Sequence, residues 1–405
     1  MGSLSKNRLG VFNNLPVFPP DSILGLQSEF RNDPSSVKVN LSIGVYIDES
    51  TGKVFGSKGV KKAETELLTS ELNKEYLGIA GDRDYIAVMK SLVFGDTVNH
   101  DHIYGMQTVG GTGALCLGAK LIKGTGAISE VFVPKETWDN HIRIFSQAGL
   151  KVSCYPYLDF ASKTVCFEKI IDFFSEVKNS SLVLLHACCH NPTGTDFTEQ
   201  QWSELAQVFK EKELIPFFDF AYQGFAKSFY EDRYAVELFV KQMPFVLVAS
   251  SLSKNFSLYG ERIGFLGVFN QERCYLDKVA SFLQEKTRGI YSSPSRRGAF
   301  IIKTIMENSD LRKDWENELS EMKHNLDKKR RVIVEALKSG CGQSFDFLGD
   351  QVGFFGYASW SFRQVEFLKK EKSIYVGPGG RFNLAGLNSD NIDYVAESFG
   401  LVHVL

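Results

Sequence analysis

Residues 249–267 read ASSLSKNFSLYGERIGFLG and continue a run of strand-forming residues that begins at Phe245. The hydroxyls of Ser251 and Ser253 precede Lys254, and Arg262 comes eight residues after that lysine. A lysine amine is a nucleophile only when desolvation or a nearby cation lowers its pKa. The stretch therefore predicts a lysine that holds an aldehyde cofactor as a Schiff base, with hydroxyl and guanidinium groups on its phosphate. A solvated lysine in a loop is the alternative.

The composition is that of a globular protein with a large core. The chain has 405 residues, of which 43% are hydrophobic and 23% charged, and its formal net charge is −2. This length allows two domains. The near-neutral charge argues against binding to nucleic acid or to a membrane surface. The apolar runs are too short to span a bilayer, so we expect no membrane partner.

The seven cysteines are scattered and form no C-x-x-C pair. This usage fits free thiols in a reducing compartment better than a disulfide framework. No apolar stretch at the N-terminus has the features of a signal peptide, so we expect a cytoplasmic protein. The segment HACCHNPTG (186–194) is rich in possible metal ligands. Its spacing fits no tetrahedral zinc pattern, and we expect no metal.

Short apolar runs alternate with amphipathic helices in the middle of the chain. The runs lie at 106–109, 130–133, 182–186, 214–219, 245–249 and 263–268. A capping box at Thr198 starts one of the helices between them. The alternation predicts an α/β fold with a mostly parallel sheet and helices on both faces. Ligands of such sheets bind beyond the carboxyl ends of the strands.

The two ends of the chain follow a different pattern. We expect an irregular arm at 1–37, a strand at 37–45, and helices at 60–72 and 83–94. Beyond residue 310 a helical stripe runs to about 338, followed by short strands and a final helix, which predicts a smaller α+β domain. The predicted division is 1–46 for the arm and part of the small domain, 47–312 for the large cofactor-binding domain, and 313–405 for the small domain.

Two further features follow the ends of predicted strands. Gly110-Gly111-Thr112-Gly113 opens a helix, where exposed backbone N–H groups can cradle a phosphate. An ordinary strand-to-helix turn is the alternative. Asp219 ends the apolar run 215–218, and a carboxylate buried there requires a charged partner such as a protonated ring nitrogen. Its alternative role is to cap the next turn.

These motifs, taken in order, resemble the aspartate aminotransferases, which are pyridoxal-phosphate-dependent class I aminotransferases of fold type I. The resemblance runs from about residue 18 to the C-terminus. It rests on VNLSIGVY (39–46), EYLGIAG (75–81), GGTGAL (110–115), TWDNH (137–141), HACCHNPTG (186–194), FFDFAYQGF (217–225), SLSKNFSLYGERIG (251–264), YSSP (291–294) and GGRFNLAGL (379–387). It implies a seven-stranded sheet, pyridoxal 5'-phosphate as cofactor, and a homodimer with shared active sites.

The resemblance also implies a catalytic role for several residues. Lys254 would carry the cofactor and move a proton between the substrate Cα and the cofactor. Asp219 would pair with the ring nitrogen. Tyr222 and Asn191 would hydrogen-bond the phenolic oxygen, and Trp138 would stack on the ring. Trp138 and Asn191 would also contact the substrate.

Further positions are implied around the cofactor. His141 would support Asp219 from behind, with His186 nearby. The phosphate would be bound by Gly111, Thr112, Ser251, Arg262 and Tyr76 of the partner subunit. The loop at Glu136 carries no proline before Thr137, so we expect a trans peptide bond there.

Two arginines would select the substrate. Arg381, helped by the Gly44 backbone, would bind the α-carboxylate through a bidentate fork, and Arg288 of the partner subunit would bind a distal carboxylate. Aspartate, glutamate and their oxo acids are then the expected small-molecule partners, in a ping-pong transamination. An aromatic aminotransferase of the same subgroup is the alternative. A lyase or decarboxylase of this fold, and a non-catalytic relative, are further alternatives.

Overall fold

The computed structural model of the chain describes residues 12–70, 73–341 and 345–403. The α-helices are α1 (Leu24–Asn32), α2 (Lys58–Ser70), α3 (Arg83–Phe94), α4 (Gly110–Gly124), α5 (Asp139–Gln147), α6 (Phe167–Glu176), α7 (Glu199–Glu211), α8 (Tyr234–Gln242), α9 (Leu276–Ile290), α10 (Arg297–Glu307), α11 (Ser309–Cys341), α12 (Phe347–Asp350), α13 (Phe362–Lys372) and α14 (Ile392–His403). The strands are β1 (Val39–Asn40), β2 (Ile47–Asp48), β3 (Lys53–Val54), β4 (Ile103–Val109), β5 (Glu130–Pro134), β6 (Lys151–Tyr155), β7 (Leu182–His186), β8 (Ile215–Phe220), β9 (Phe245–Ser251), β10 (Ile263–Asn270), β11 (Phe355–Tyr357), β12 (Ile374–Tyr375) and β13 (Arg381–Asn383).

A seven-stranded sheet with the order β4-β10-β9-β8-β7-β5-β6 forms the centre of the fold. Strand β10 runs antiparallel to both of its neighbours, and the remaining pairs are parallel. The α/β prediction with a mostly parallel seven-stranded sheet is confirmed. The parallel arrangement gathers the carboxyl ends of β7, β8 and β9 at one edge, where ligands of such sheets bind.

Helices cover both faces of this sheet. Successive side chains of β8 point to opposite faces of the sheet. Phe217 and Phe218 are both fully buried, and they belong to different hydrophobic clusters. Helices α4, α5 and α9 contribute to the cluster around Phe217, and helices that include α7 and α8 contribute to the cluster around Phe218. Burial on both faces explains why these strands read as continuous apolar runs.

The N-terminal segment is more ordered than the sequence suggests. The expected irregular arm contains helix α1, and its residues 1–11 lie outside the described part of the chain. The expected strand at 37–45 shrinks to β1, because the backbone beyond it bonds side chains: Asn383 Nδ2 donates to the carbonyls of Ile43, at 2.6 Å, and Val45, at 2.7 Å. The expected helix at 60–72 begins at Lys58, and residues 71–72 are not described.

Smaller sheets join distant parts of the chain. Strand β1 pairs in parallel with β12, which links the N-terminal segment to the C-terminal elements. Strand β11 pairs antiparallel with β13 and places Tyr357 opposite Arg381. Helix α11 reaches back to the main sheet layer, where Trp315 Nε1 donates to Asn255 O at 2.8 Å. The predicted domain boundaries at 46 and 312 stay a prediction.

In the described residues no helix combines the length and the apolar content needed to cross a bilayer.

Close backbone contact between β10 and the start of α4 requires glycine. A Cβ atom on Gly264 would lie 2.4 Å from the carbonyl carbon of Gly110. Gly110 itself has a φ of +65° and donates its N–H to Arg262 O at 2.9 Å. The turn that opens α4 therefore rests directly on the strand that follows the lysine loop.

We expect Gly264→Ala to lower the free energy of unfolding by about 3 kcal/mol, because the added methyl meets backbone that cannot rotate away. Urea denaturation measures the change. Gly260→Ala is the matched control, since no heavy atom lies within 4 Å of its Cβ position. Equal stability of the two variants would contradict the close contact.

Candidate active site

A cavity of about 340 Å³ lies at the carboxyl edge of the central strands. Its wall includes Asp219 at the end of β8 and Ser251 at the end of β9. The residues singled out from the sequence that line it are Gly44, Gly111, Thr112, Trp138, Asn191, Asp219, Tyr222, Ser251, Lys254, Arg262 and Arg381. Segments separated by more than 300 residues thus meet in one space.

Four other predicted site residues lie outside this cavity. His141 and His186 are buried next to Asp219. Tyr76 is 92% exposed, and Arg288 is exposed in the last turn of α9, where its Nη1 donates to Ser292 Oγ. The structure therefore does not bring Tyr76 and Arg288 into the cavity of their own chain.

Lys254 lies half-buried in the loop after β9. Its Nζ is 4.8 Å from the centre of the Tyr222 ring. Burial lowers the pKa of Lys254 to about 8; Asp219 opposes this effect, and the charges of Arg262 and Arg381 add to it. A substantial fraction of this amine is uncharged at mildly alkaline pH, which makes it a nucleophile.

A hydrogen bond of 2.8 Å joins His141 Nε2 to Asp219 Oδ2. On its other side His141 Nδ1 lies 2.8 Å from Thr137 Oγ1. Burial alone would raise the pKa of Asp219, but the hydrogen bond and charge of His141, with the charge of Lys254, keep it below its ordinary value. Asp219 is therefore an ionised carboxylate in a buried site.

His186 fills the space behind this pair as a neutral ring. Its centroid lies 5.3 Å from that of His141, and neither ring nitrogen has a hydrogen-bond partner in the described residues. Burial, together with the charge of His141, lowers the pKa of His186 to about 3, although the charge of Asp219 opposes the shift. Ligand atoms of His141, His186 and Asp219 lie within 4.8 Å of one another. Because both nitrogens of His141 already have hydrogen-bonding neighbours, we interpret the group as support for the carboxylate.

The first turn of α4 forms a cradle with two neighbouring loops. A Cβ on Gly111 would lie 3.0 Å from Ser251 Cβ, and one on Gly110 would lie 2.5 Å from Arg262 Nη2. The glycines thus let the backbone N–H groups of the helix start approach a hydroxyl and a guanidinium. This combination suits an anion such as a phosphate. Ser253 belongs to the same cradle, since Arg262 Nη1 donates to its Oγ at 3.3 Å.

Arg381 forms the opposite wall of the cavity. Its Nη1 donates to Asn191 Oδ1 at 3.0 Å and its Nη2 to Ser42 O at 2.8 Å, while the guanidinium lies 4.3 Å from the centre of the Phe355 ring. Burial lowers the pKa of Arg381. No carboxylate of the described residues forms an ion pair with this buried cation. An external carboxylate is the partner that it lacks.

Trp138 and Asn191 line the same cavity as Arg381 and Asp219. Trp138 is the residue before α5, and its ring meets His141 edge-on at 5.3 Å. Among the described residues the cis peptide bond is Asn191–Pro192, so the bond before Glu136 is trans, as expected.

Sequence reasoning missed the residues at the mouth of the cavity. Ser22 Oγ donates to Asp139 Oδ2 at 2.6 Å, and Arg143 Nη1 lies 2.5 Å from Asp21 Oδ2. All four residues line the cavity. No local motif joins the two pairs, because Asp21 and Ser22 are more than 100 positions from Asp139 and Arg143 along the chain.

Comparison with known proteins agrees with this geometry. The family model "Aminotransferase class I and II" matches residues 36–399. The aspartate aminotransferase of Escherichia coli is 39% identical over 96% of this chain and 99% of its own length. The aromatic-amino-acid aminotransferase of the same organism is 37% identical over 97% of this chain and 100% of its own length.

A solved structure shows the same fold. The aromatic-amino-acid aminotransferase of Burkholderia pseudomallei, covalently bound to pyridoxal phosphate, superposes with a TM-score of 0.93 at 36% identity, covering 97% of this chain and 100% of that one. The chain therefore belongs to the class I and II aminotransferase family, and its activity is amino-group transfer.

Proposed function

We propose that this aminotransferase exchanges the amino group between L-aspartate and 2-oxoglutarate, giving oxaloacetate and L-glutamate by a ping-pong mechanism. The observation that supports this proposal most strongly is the arrangement of Lys254, Asp219 and Arg381 around one cavity. Arg381 offers a buried cation without a carboxylate partner among the described residues, facing a lysine of lowered pKa. This arrangement suits a substrate that carries an α-carboxylate next to an amine.

The cofactor is pyridoxal 5'-phosphate, and the residues present fit it. The anion cradle of Gly111, Thr112, Ser251 and Arg262 lies in the same cavity as the ionised Asp219 and the lysine amine. When bound, the cofactor supplies an electron-accepting ring that stabilises the charge left after a bond at the substrate Cα breaks. We propose that the cradle would hold its phosphate, that the Lys254 amine would bond its aldehyde carbon with loss of the aldehyde oxygen as water, and that Trp138 would stack on its ring.

The protein's own groups then position charges and protons. Asp219, kept ionised by His141 with His186 behind, would hold a proton on the ring nitrogen. Lys254, once the substrate amine has displaced it from the cofactor, would take the proton from the substrate Cα in its uncharged form and deliver it to the former aldehyde carbon of the cofactor. Tyr222 and Asn191 would donate hydrogen bonds to the phenolic oxygen.

The substrate is oriented by a separate set of groups. Arg381 and the backbone at Gly44 fix the α-carboxylate, and a planar guanidinium matches a carboxylate at two points. Asn191 and Trp138 contact the substrate on either side. This fixed orientation places the Cα–H bond next to the lysine amine.

We propose that the working enzyme is a homodimer with shared active sites. Tyr76 and Arg288 are exposed and do not line the cavity of their own chain. A second copy would supply the phosphate contact of Tyr76 and the distal-carboxylate contact of Arg288. Phe12, Val17 and Phe18 of the N-terminal arm are more than 60% exposed, an apolar surface that subunit association would cover.

The second candidate function is transamination of aromatic amino acids. It is favoured by the 37% identity to an aromatic-amino-acid aminotransferase, which nearly equals the identity to the aspartate enzyme. An apolar ring in the cavity wall, Phe355, also suits such a side chain.

We propose a cytoplasmic location. The six cysteines whose side chains the structure describes are free thiols, as expected in a reducing compartment.

We expect Lys254→Ala to lower turnover by several orders of magnitude, because the variant loses both the covalent bond to the cofactor and the proton carrier. Initial rates with aspartate and 2-oxoglutarate measure the loss. Lys90→Ala is the matched control: Lys90 is a partly buried lysine whose pKa burial lowers, but it lies outside the cavity. Turnover retained by Lys254→Ala would contradict the assignment.

The pKa of Lys254 predicts how the cofactor-free protein reacts with pyridoxal. Below pH 8 the amine is mainly protonated, so the rate should rise about tenfold per pH unit and level off above that pH. Asp219→Asn should move the midpoint to lower pH, because the carboxylate stabilises the lysine charge. Stopped-flow absorbance measures both profiles. A midpoint near the ordinary lysine value of 10.5 would refute the lowered pKa.

Shared sites predict complementation between two defective variants. Lys254→Ala and Arg288→Ala should each be poorly active with aspartate. When equal amounts of the two variants are mixed and their subunits exchange, about a quarter of all active sites should have both residues intact, so activity should return to about a quarter of the wild-type value. In each mixed dimer the chain with an intact Lys254 receives Arg288 of the partner subunit. Phenylalanine turnover by Arg288→Ala alone serves as the control for an intact cofactor site. Absence of recovery after re-pairing would argue against shared sites.

A further inference from the structure

We propose that Asp139 sets the charge preference for the substrate side chain. Its carboxylate at the mouth of the cavity weakens the binding of substrates that carry a second carboxylate. Amino acids with neutral side chains can therefore compete with aspartate as substrates. The inference rests on the proposed function, since it concerns the substrates of the same site.

Asp139 is held at the mouth as an unpaired negative charge. It is the first residue of α5 and follows Trp138 directly. Ser22 Oγ donates to its Oδ2 at 2.6 Å and so fixes the carboxylate. No lysine, arginine or histidine of the described residues forms an ion pair with it.

The other charges that this chain itself places at the mouth cancel, so Asp139 opposes the cation that Arg288 of the partner subunit would bring to the distal carboxylate. Arg143 and Asp21 form an ion pair of 2.5 Å, and both line the cavity. Asp139 therefore leaves this group of two carboxylates and one guanidinium with a net charge of −1. Its field also reaches the opposite wall: burial lowers the pKa of Arg381, and the charge of Asp139 acts against that effect.

The substrate side chain must extend toward this charge. With the α-carboxylate on Arg381 and the Cα next to Lys254, the substrate side chain would occupy the rest of the cavity, whose lining includes Trp138, Asp139 and Arg143. A distal carboxylate placed there is repelled by Asp139, whereas an aromatic ring carries no charge to repel. A unit charge in a partly desolvated cleft changes the affinity of a second charge by about five- to tenfold.

The test compares substrates on the holoenzyme. Asp139→Asn keeps the size of the side chain and its hydrogen bond to Ser22 while removing the charge. We expect kcat/KM for L-aspartate to rise about five- to tenfold and kcat/KM for L-phenylalanine to change less than about twofold. The affinity for succinate, measured by calorimetry on the same holoenzyme, should rise by the same factor as kcat/KM for aspartate.

Two further variants separate charge at the mouth from other effects. Asp84→Asn is the matched control, because Asp84 also lies in the first turn of a helix, α3, but not at the cavity. It should leave the ratio of the two kcat/KM values unchanged. Asp139→Ser also removes the charge and keeps a side chain suited to a helix start, so it should repeat the effect if Asp139→Asn does not fold.

The outcomes distinguish the inference from the proposed function. An unchanged ratio of kcat/KM values in both Asp139 variants, with succinate affinity also unchanged, would overturn the role of Asp139. A wild-type holoenzyme that turns over phenylalanine but not aspartate, and whose Asp139→Asn variant still excludes aspartate, would overturn both. Slow aspartate turnover in the wild type that Asp139→Asn accelerates would support both.

Discussion

The hydrogen bond between His141 and Asp219 is the interaction on which the site depends. A carboxylate at the end of a buried strand would ordinarily take up a proton, because burial penalises its charge. The bond of 2.8 Å from His141 reverses that preference. With Asp219 ionised, a protonated ring nitrogen can be held opposite it, and the lysine amine beside it keeps a pKa suited to both bonding and proton transfer.

The fold supplies this interaction through neighbouring strands and close glycine contacts. In the sheet register His186 pairs with Asp219 and Asp219 with Ala249, so β7, β8 and β9 deliver their functional residues to one edge. Gly264 lets the start of α4 rest on β10, which sets the anion cradle at a fixed distance from the lysine loop. Trp315 of α11 fixes that loop from behind through the carbonyl of Asn255. The site is thus assembled from rigid elements.

Much of this fold could be predicted from the sequence where a local signal exists. Helix α3 begins at Arg83, as expected, since the Asp82 side chain accepts from Tyr85 N, and the Thr198 capping box starts α7. Helix α1 was missed because Ile23 offers no capping side chain and the helix buries no residue. Strand β6 was missed because an edge strand such as Lys151–Tyr155, which pairs only with β5 in the described sheet, lacks a continuous apolar run.

The same distinction holds for the site. The residues of the lysine stretch and the glycine turn were found because they belong to local motifs, whereas Ser22 meets Asp139 and Arg143 of helix α5 only through long-range folding. The proposed chemistry requires one covalent bond, between Lys254 and the cofactor, and borohydride reduction of the purified holoenzyme tests for this bond most directly. Peptide mass spectrometry should find the reduced cofactor on Lys254. An adduct on another lysine, or none at all, would contradict the account.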